Sequence, residues 1–222
     1  MRPSVRDVFY DFTARFEGVV PWLYADVLGL VTVGVGNLVD PMSTALVLPF
    51  LRQNGEPATR GQIADEWQRV KNDPKCASLG HRYAERITSL RLTTEGVTDL
   101  VLGKLEANDH ALARRFASWE EWPADAQLAT HSMAWACGPA FHFPRLEGAL
   151  MARAFAAAAE EAHIRTDNNP GVVPRNTANR LLYKNAAAVV SQSLDPAALY
   201  WPRDLSAPLG DADTDPPPDD VA

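Results

Sequence analysis

The sequence predicts an α+β fold that is mostly helical, with one small antiparallel sheet close to the N-terminus. Three observations carry this. Apolar residues Val5, Val8, Phe9, Phe12 and Phe16 recur at helical spacing, and between Trp22 and Gly36 the apolar period changes to two. From Thr93 onward, helical patterns follow one another with no second alternating stretch.

In the first element, Ser4 is placed to cap a helix and Asp7 suits the positive end of its dipole. Gly18 supplies the stop, which puts Glu17 at the C-terminal end of that helix. Next, Val31, Val33 and Val35 fall on one side of a strand and Leu30, Thr32, Gly34 and Gly36 on the other. This is a hairpin or small meander turning at Val27-Leu28-Gly29, where glycine permits a positive φ. The segment 41–92 joins a turn-rich stretch, Gln53-Asn54-Gly55-Glu56-Pro57, to a helix over 60–71 that is apolar at Ile63, Trp67 and Val70. It reads as an elaboration of the N-terminal part. Thr93 or Thr94 is placed to cap a helix over 95–116, long enough to connect two lobes. Helices over 124–137, stopped by Gly138-Pro139, over an Ala-rich 146–163 and over 176–191 complete the body. The segment 206–222, with Pro216-Pro217-Pro218 and five aspartates, is expected to be a disordered acidic tail.

Composition narrows the function. A chain of 222 residues can bury a core without disulfides or metals, as one domain or two small lobes. Of the net charge of −7, the five aspartates of the 206–222 segment account for five, and the body carries only −2. Neither a nucleic-acid footprint nor a basic membrane patch follows from so weak a field. Apolar runs, broken by Asp26, Asp40 and prolines, stay short of the ~18 residues of a membrane span, so no membrane insertion is expected. Asp7 and Asp11 interrupt the stretch where a secretory signal needs an apolar run, which predicts synthesis in the cytoplasm without a Sec signal. Cys76 and Cys137 form no CxxC pattern and read as buried thiols, with a disulfide as the alternative. The histidines His81, His110, His131, His142 and His163 form no ligand spacing, so neither a metal nor any other cofactor is expected. Arg114-Arg115 reads as a solvated helix face.

Between Phe16 and Gly36 a carboxyl ends a helix, a second carboxyl enters a hairpin, and a hydroxyl lies on the returning strand. Cleavage of a glycosidic bond needs one carboxyl protonated, to donate to the leaving oxygen, and a second group that guides water or stabilises an oxocarbenium-like state. A helix C-terminus disfavours a further negative charge, and Phe16 and Val19 would add desolvation, so Glu17 suits the acid. Asp26, in a polar turn, suits the ionised partner, and Thr32 lies beside Gly34 and Gly36, which leave room for a sugar. The same residues also fit a plainer description, a solvated helix-end Glu and a turn-forming Asp.

The motifs Phe16-Glu17-Gly18, Leu23-Tyr24-Ala25-Asp26 and Gly29-Leu30-Val31-Thr32-Val33-Gly34-Val35-Gly36 resemble the signature of the phage T4-type lysozymes, glycoside hydrolase family 24. Weaker similarity continues through Leu92-Thr93-Thr94-Glu95, Met133 to Gly138, and an Arg-containing helix at 174–183. The resemblance implies a lysozyme-like two-lobed catalytic domain over 1–205. Its parts are an N-terminal lobe of about 1–92, a connecting helix of about 93–116 and a helical C-terminal lobe of about 117–205, with the cleft between the lobes. It further implies a monomeric muramidase acting on the β-1,4 bond between N-acetylmuramic acid and N-acetylglucosamine in bacterial peptidoglycan, with inversion at the anomeric carbon. Glu17, Asp26 and Thr32 are then catalytic, and Gly34, Gly36, Leu38 and Trp135 bind substrate, although Trp135 also suits the core. Three features depart from the family. Asn37 replaces a His whose ion pair is therefore expected to be missing, Asn179 replaces a Glu, and 41–92 is longer than in compact members.

Two other readings use the same residues. One is a wall-binding module that holds glycan without cutting it, against which the intact trio argues. The other is an antibacterial effector with muramidase chemistry, delivered by a secretion system and paired with an immunity protein, where a phage enzyme would reach the wall through a holin. Either enzyme acts on the cell wall of the periplasm after release or delivery, and the neighbouring genes distinguish them.

Overall fold

A computed structural model describes residues 1–167 and 170–205. The acidic tail expected over 206–222 lies outside the described residues. Helix α1 (Pro3–Glu17) buries Val5, Phe9 and Phe12 completely or nearly so, along the stripe that the sequence marks. Its start differs from the expected Ser4 cap. Pro3 takes the first turn, where a missing N–H costs no helical bond, and the Ser4 hydroxyl instead donates to the Ala197 carbonyl at 2.7 Å. Gly18, at φ 73°, ends the helix with its N–H on the Ala14 carbonyl.

Strands β1 (Val20–Ala25), β2 (Val31–Gly34) and β3 (Asn37–Leu38) form an antiparallel sheet in that order. The β1–β2 turn contains Gly29 at φ 74° and is held by the Asp26 N–H on the Leu30 carbonyl at 2.9 Å. Val31, Val33 and Val35 are fully buried, as the alternation requires. Across the other face, Thr32 on the central strand is flanked by Tyr24 of β1 and Leu38 of β3.

The segment 41–92 folds as α2 (Met42–Ala45), α3 (Arg60–Asn72), α4 (Pro74–Leu79) and α5 (His81–Ile87), of which the last three pack on β1. A reciprocal capping box between Thr59 and Gln62 opens α3. Helix α6 (Thr94–Arg115) is capped by Thr93, whose hydroxyl accepts the Gly96 N–H at 3.0 Å. Its 22 residues span about 33 Å and touch β2 and β3 as well as α7 (Ala124–Cys137). Helix α7 is buried from Ala124 to Trp135 and contacts α1, α6 and α10, so it forms the centre of the helical part.

The Ala-rich run expected as one helix breaks into α8 (Pro144–Met151) and α9 (Phe155–Glu161). Arg153 turns to φ 53° and the Ala154 N–H reaches back to the Ala149 carbonyl at 2.8 Å. The break lets Leu150 and Phe155 both enter the core, which outweighs the continuous helical propensity of the alanines. Helix α10 (Val173–Ser191) packs on α7 and α9. Buried Asp125 ties the stretch after α10 to α7 by accepting the N–H groups of Tyr200 and Trp201 at 2.9 and 3.0 Å and the Asn185 amide at 3.1 Å.

Two smaller expectations are corrected. Arg115 is not on a solvated face: its guanidinium pairs with Glu147 at 2.7 Å and donates to the Pro139 and Phe141 carbonyls, closing the loop after α7. Both cysteines are free thiols, Cys76 buried but Cys137 exposed at the end of α7. Among the described residues, no helix is long and apolar enough to cross a membrane.

Candidate active site

Glu17 leaves the end of α1 beside the hairpin, and each of its oxygens has a defined neighbour. Oε1 accepts a hydrogen bond from Arg175 Nη2 at 2.6 Å. Oε2 lies against Gly36, where an added β-carbon would come within 3.2 Å of it. The missing side chain of Gly36 therefore makes room for the Glu17 carboxyl rather than for a ligand. Arg175 is only 2% exposed, and its Nη1 donates to the Ser132 hydroxyl at 3.1 Å and carbonyl at 3.3 Å. Its guanidinium also lies over the Phe16 ring, 4.8 Å from the centroid. Helices α1, α7 and α10 thus converge on one carboxyl. Val19, expected to desolvate Glu17, is 46% exposed; Phe16 is the apolar neighbour, and it packs beneath Arg175.

Asp26 occupies the start of the hairpin turn, where its Oδ1 accepts the Leu28 and Leu30 N–H groups, both at 2.9 Å. Tyr24, the cross-strand partner of Thr32, feels both charges. Burial, together with the negative charges of Glu17 and Asp26, pushes its phenol up to about 12, so all three groups share one neighbourhood and Tyr24 is a neutral hydroxyl there. Thr32, 5% exposed, donates its hydroxyl to the Leu30 carbonyl at 3.1 Å, which leaves its lone pairs as acceptors. Tyr24 and Thr32 are cross-strand partners, Asp26 follows at the start of the adjoining turn, and the charge of Glu17 reaches Tyr24.

The residues expected to bind substrate separate into two groups. Leu38 is 54% exposed and lines a cleft of about 500 Å³ with Leu48 and Pro49 on one side and Gly96, Asp99, Leu100, Gly103 and Lys104 of α6 on the other. Gly34 and Trp135 do not face it. The space beside Gly34 is taken by Val97, Leu100 and the Asn37 amide, and Trp135 is 5% exposed with its indole N–H on the Val35 carbonyl at 3.1 Å. Trp135 forms a wall behind the site, where the Lys104 ammonium stands 3.9 Å from its ring centroid. Another hollow, of about 390 Å³ and bordered by Arg52, Gln62 and Glu66, shares no residue with this cleft. Its Glu66 carboxylate is already satisfied by donors of Ser89 and Leu90.

Where the family resemblance fails, local bonds take over. Asn37 accepts the Val35 N–H at 3.1 Å and donates to the Leu100 carbonyl at 3.4 Å, in place of an ion pair. Asn179 is fully buried and donates to the Met133 sulfur at 3.2 Å.

Arg175, Tyr24 and Lys104 are absent from the sequence-based site, yet two of them leave a signal. Arg175 stands in the first turn of α10, where a cation opposes the helix dipole and so calls for a carboxylate partner. Lys104 lies seven residues after Val97 and four after Leu100, on the α6 stripe that covers the sheet, where an apolar residue is expected. The chemistry available is that of one carboxyl fixed through a single oxygen, a second carboxylate in the adjoining turn, and a hydroxyl between neighbouring strands. No protein-family model matches this chain, and no curated protein matches it.

Proposed function

We propose that the chain is a muramidase that hydrolyses the β-1,4 bond between N-acetylmuramic acid and N-acetylglucosamine in bacterial peptidoglycan. The fold reading that accompanies it is a lysozyme-like, two-lobed domain over 1–205, with α6 as the connecting helix. The observation that carries the proposal is the division of labour between the two oxygens of Glu17. Oε1 is anchored by buried Arg175 in an ion pair that fixes the carboxyl's orientation, and Oε2, on the hairpin side, is the oxygen that takes up the transferable proton before the bond breaks.

In this reading the glycan runs from the cleft beside Leu38 and α6, which Glu17, Asp26 and Thr32 do not line, past Leu38 of β3 to the neighbouring sheet face, where the scissile bond lies. Glu17 gives its proton to the glycosidic oxygen as the bond to the anomeric carbon breaks. A water attacks that carbon and loses a proton to Asp26, while the Thr32 hydroxyl accepts a hydrogen bond from the same water. Asp26 then releases that proton to solvent and Glu17 regains one, so both carboxyls return to their starting states. Carboxyl centres roughly 6.5–9.5 Å apart would leave space for that water, as inversion requires.

The test is digestion of purified sacculi by wild type and by Glu17→Gln. The amide keeps the volume and an acceptor for Arg175 but holds no transferable proton, so turnover is expected to fall by more than about a hundredfold, while the melting temperature drops because buried Arg175 loses its counter-charge but unfolding stays cooperative. Near-normal turnover of the variant would remove Glu17 from the role.

A further inference from the structure

Lys104 is a cation without a counter-ion at the edge of the cleft. Among the described residues, no carboxylate reaches its ammonium at ion-pair distance and no acceptor hydrogen-bonds it; its defined contact is the Trp135 face, 3.9 Å from the ring centroid. The negative charge that acts on it is that of Glu17, whose Oε1 is committed to Arg175. Burial, with repulsion from Arg175, pushes the ammonium down to about 8 against the attraction of Glu17, and it stays mostly protonated at neutral pH. A partly desolvated cation is costly unless an anion joins it. The cleft beside it has apolar walls in Leu38, Leu48, Pro49 and Leu100, which suit the faces of sugar rings.

We infer that Lys104 recognises a carboxylate carried by the glycan, and that it makes the cleft select acidic, muramoyl-containing strands over neutral ones. The inference rests on the muramidase reading for the identity of the glycan. The carboxylate has two sources on such a strand. The lactyl group of muramic acid supplies it where the stem peptide has been removed, and the peptide supplies it where the lactyl group is tied up as an amide. Asp99, on the same side of the cleft, stands opposite in sign and limits where the carboxylate can sit, at the Lys104 end.

The experiment compares three small ligands by NMR titration of the intact protein: chitobiose, the disaccharide with muramic acid at its reducing end, and the same disaccharide bearing a stem peptide. None contains the bond that the proposed reaction breaks, so binding is read without hydrolysis. Wild type is expected to bind at least one of the two acidic ligands about tenfold more tightly than chitobiose, a typical gain for one charge-assisted hydrogen bond. Whichever acidic ligand shows the gain identifies the source. Lys104→Met, which keeps the apolar stem on Trp135, is expected to bring the ratio to about one, and Lys104→Arg to retain most of it. An equal preference in wild type and Lys104→Met, or no preference in wild type, overturns the inference. Failure of the wild-type protein to hydrolyse peptidoglycan sinks the parent reading instead, while the titration still decides the role of Lys104.

Discussion

Replacing Arg175 by Met removes the one cation bonded to Glu17 while keeping a side chain of similar apolar length in a site that is 2% exposed. Loss of one partner from a fully buried ion pair costs about 3–5 kcal/mol, because the other charge is stranded. Glu17 is 30% exposed, so water takes over part of the work and the ion-pair share drops to about 1–2 kcal/mol. The two bonds to Ser132 add about 1 kcal/mol, since the Ser132 carbonyl also belongs to the α7 ladder. A total of about 2–3 kcal/mol lowers the melting temperature of a domain of this size by about 4–12 °C. Catalysis suffers more than binding: a Glu17 carboxyl free to rotate is expected to reduce kcat by about 10–100-fold with a small change in KM. Thermal melting by circular dichroism and turnover of sacculi measure the two effects. A melting temperature within a degree of wild type, or a change confined to KM, would refute the argument that Arg175 fixes the Glu17 carboxyl.

Gly36→Ala places a β-carbon 3.2 Å from Glu17 Oε2 at a φ of +69°, so it is expected to cost about 1–2 kcal/mol from the backbone alone and to reduce kcat by displacing the acid. Equal kcat in variant and wild type contradicts the close approach. Asp26→Asn and Thr32→Ala are expected to lower kcat severely with a smaller effect on glycan binding, because both are assigned to water and the transition state; a rise in KM alone opposes that assignment. Stability should fall in two stages on acidification. Burial holds the His131 imidazole below its ordinary 6.5, so it is neutral when folded and takes up a proton on unfolding, and stability declines as the pH drops below 6.5. Burial also works against the Asp109 carboxylate, but bonds from His131, Trp119 and the Met1 amine outweigh it and hold the group down at about 2. Its contribution is complete above the unfolded value of 3.8 and is lost as the pH falls from there toward 2. A melting temperature that stays flat from pH 7 to pH 3 contradicts both.

The elements legible in the sequence are those fixed by local chemistry. Gly18 and Gly29 mark a helix stop and a turn that few other residues could make, and Val31, Val33 and Val35 alternate because together they fill one face of the core. Helix α7 ends at Cys137 because Gly138, at φ 80°, follows. What local patterns do not carry is pairing at long range. Arg175 meets Glu17 across 158 positions, and only its misplaced charge in the first turn of α10 hints at the contact. The split between α8 and α9 is likewise invisible in a run of alanines, since the burial of Leu150 and Phe155 decides it. Glycines next to the site were also ambiguous: Gly34 and Gly36 suggest open space, but the space is occupied by α6 and by Glu17.

Hydrolysis of peptidoglycan with Glu17 as the acid is tested most directly by digesting purified sacculi with the protein and identifying the new chain ends by mass spectrometry. Reducing ends of N-acetylmuramic acid are expected, released by wild type and not by Glu17→Gln. Ends carrying 1,6-anhydro-muramic acid, or no released fragments at all, would contradict it.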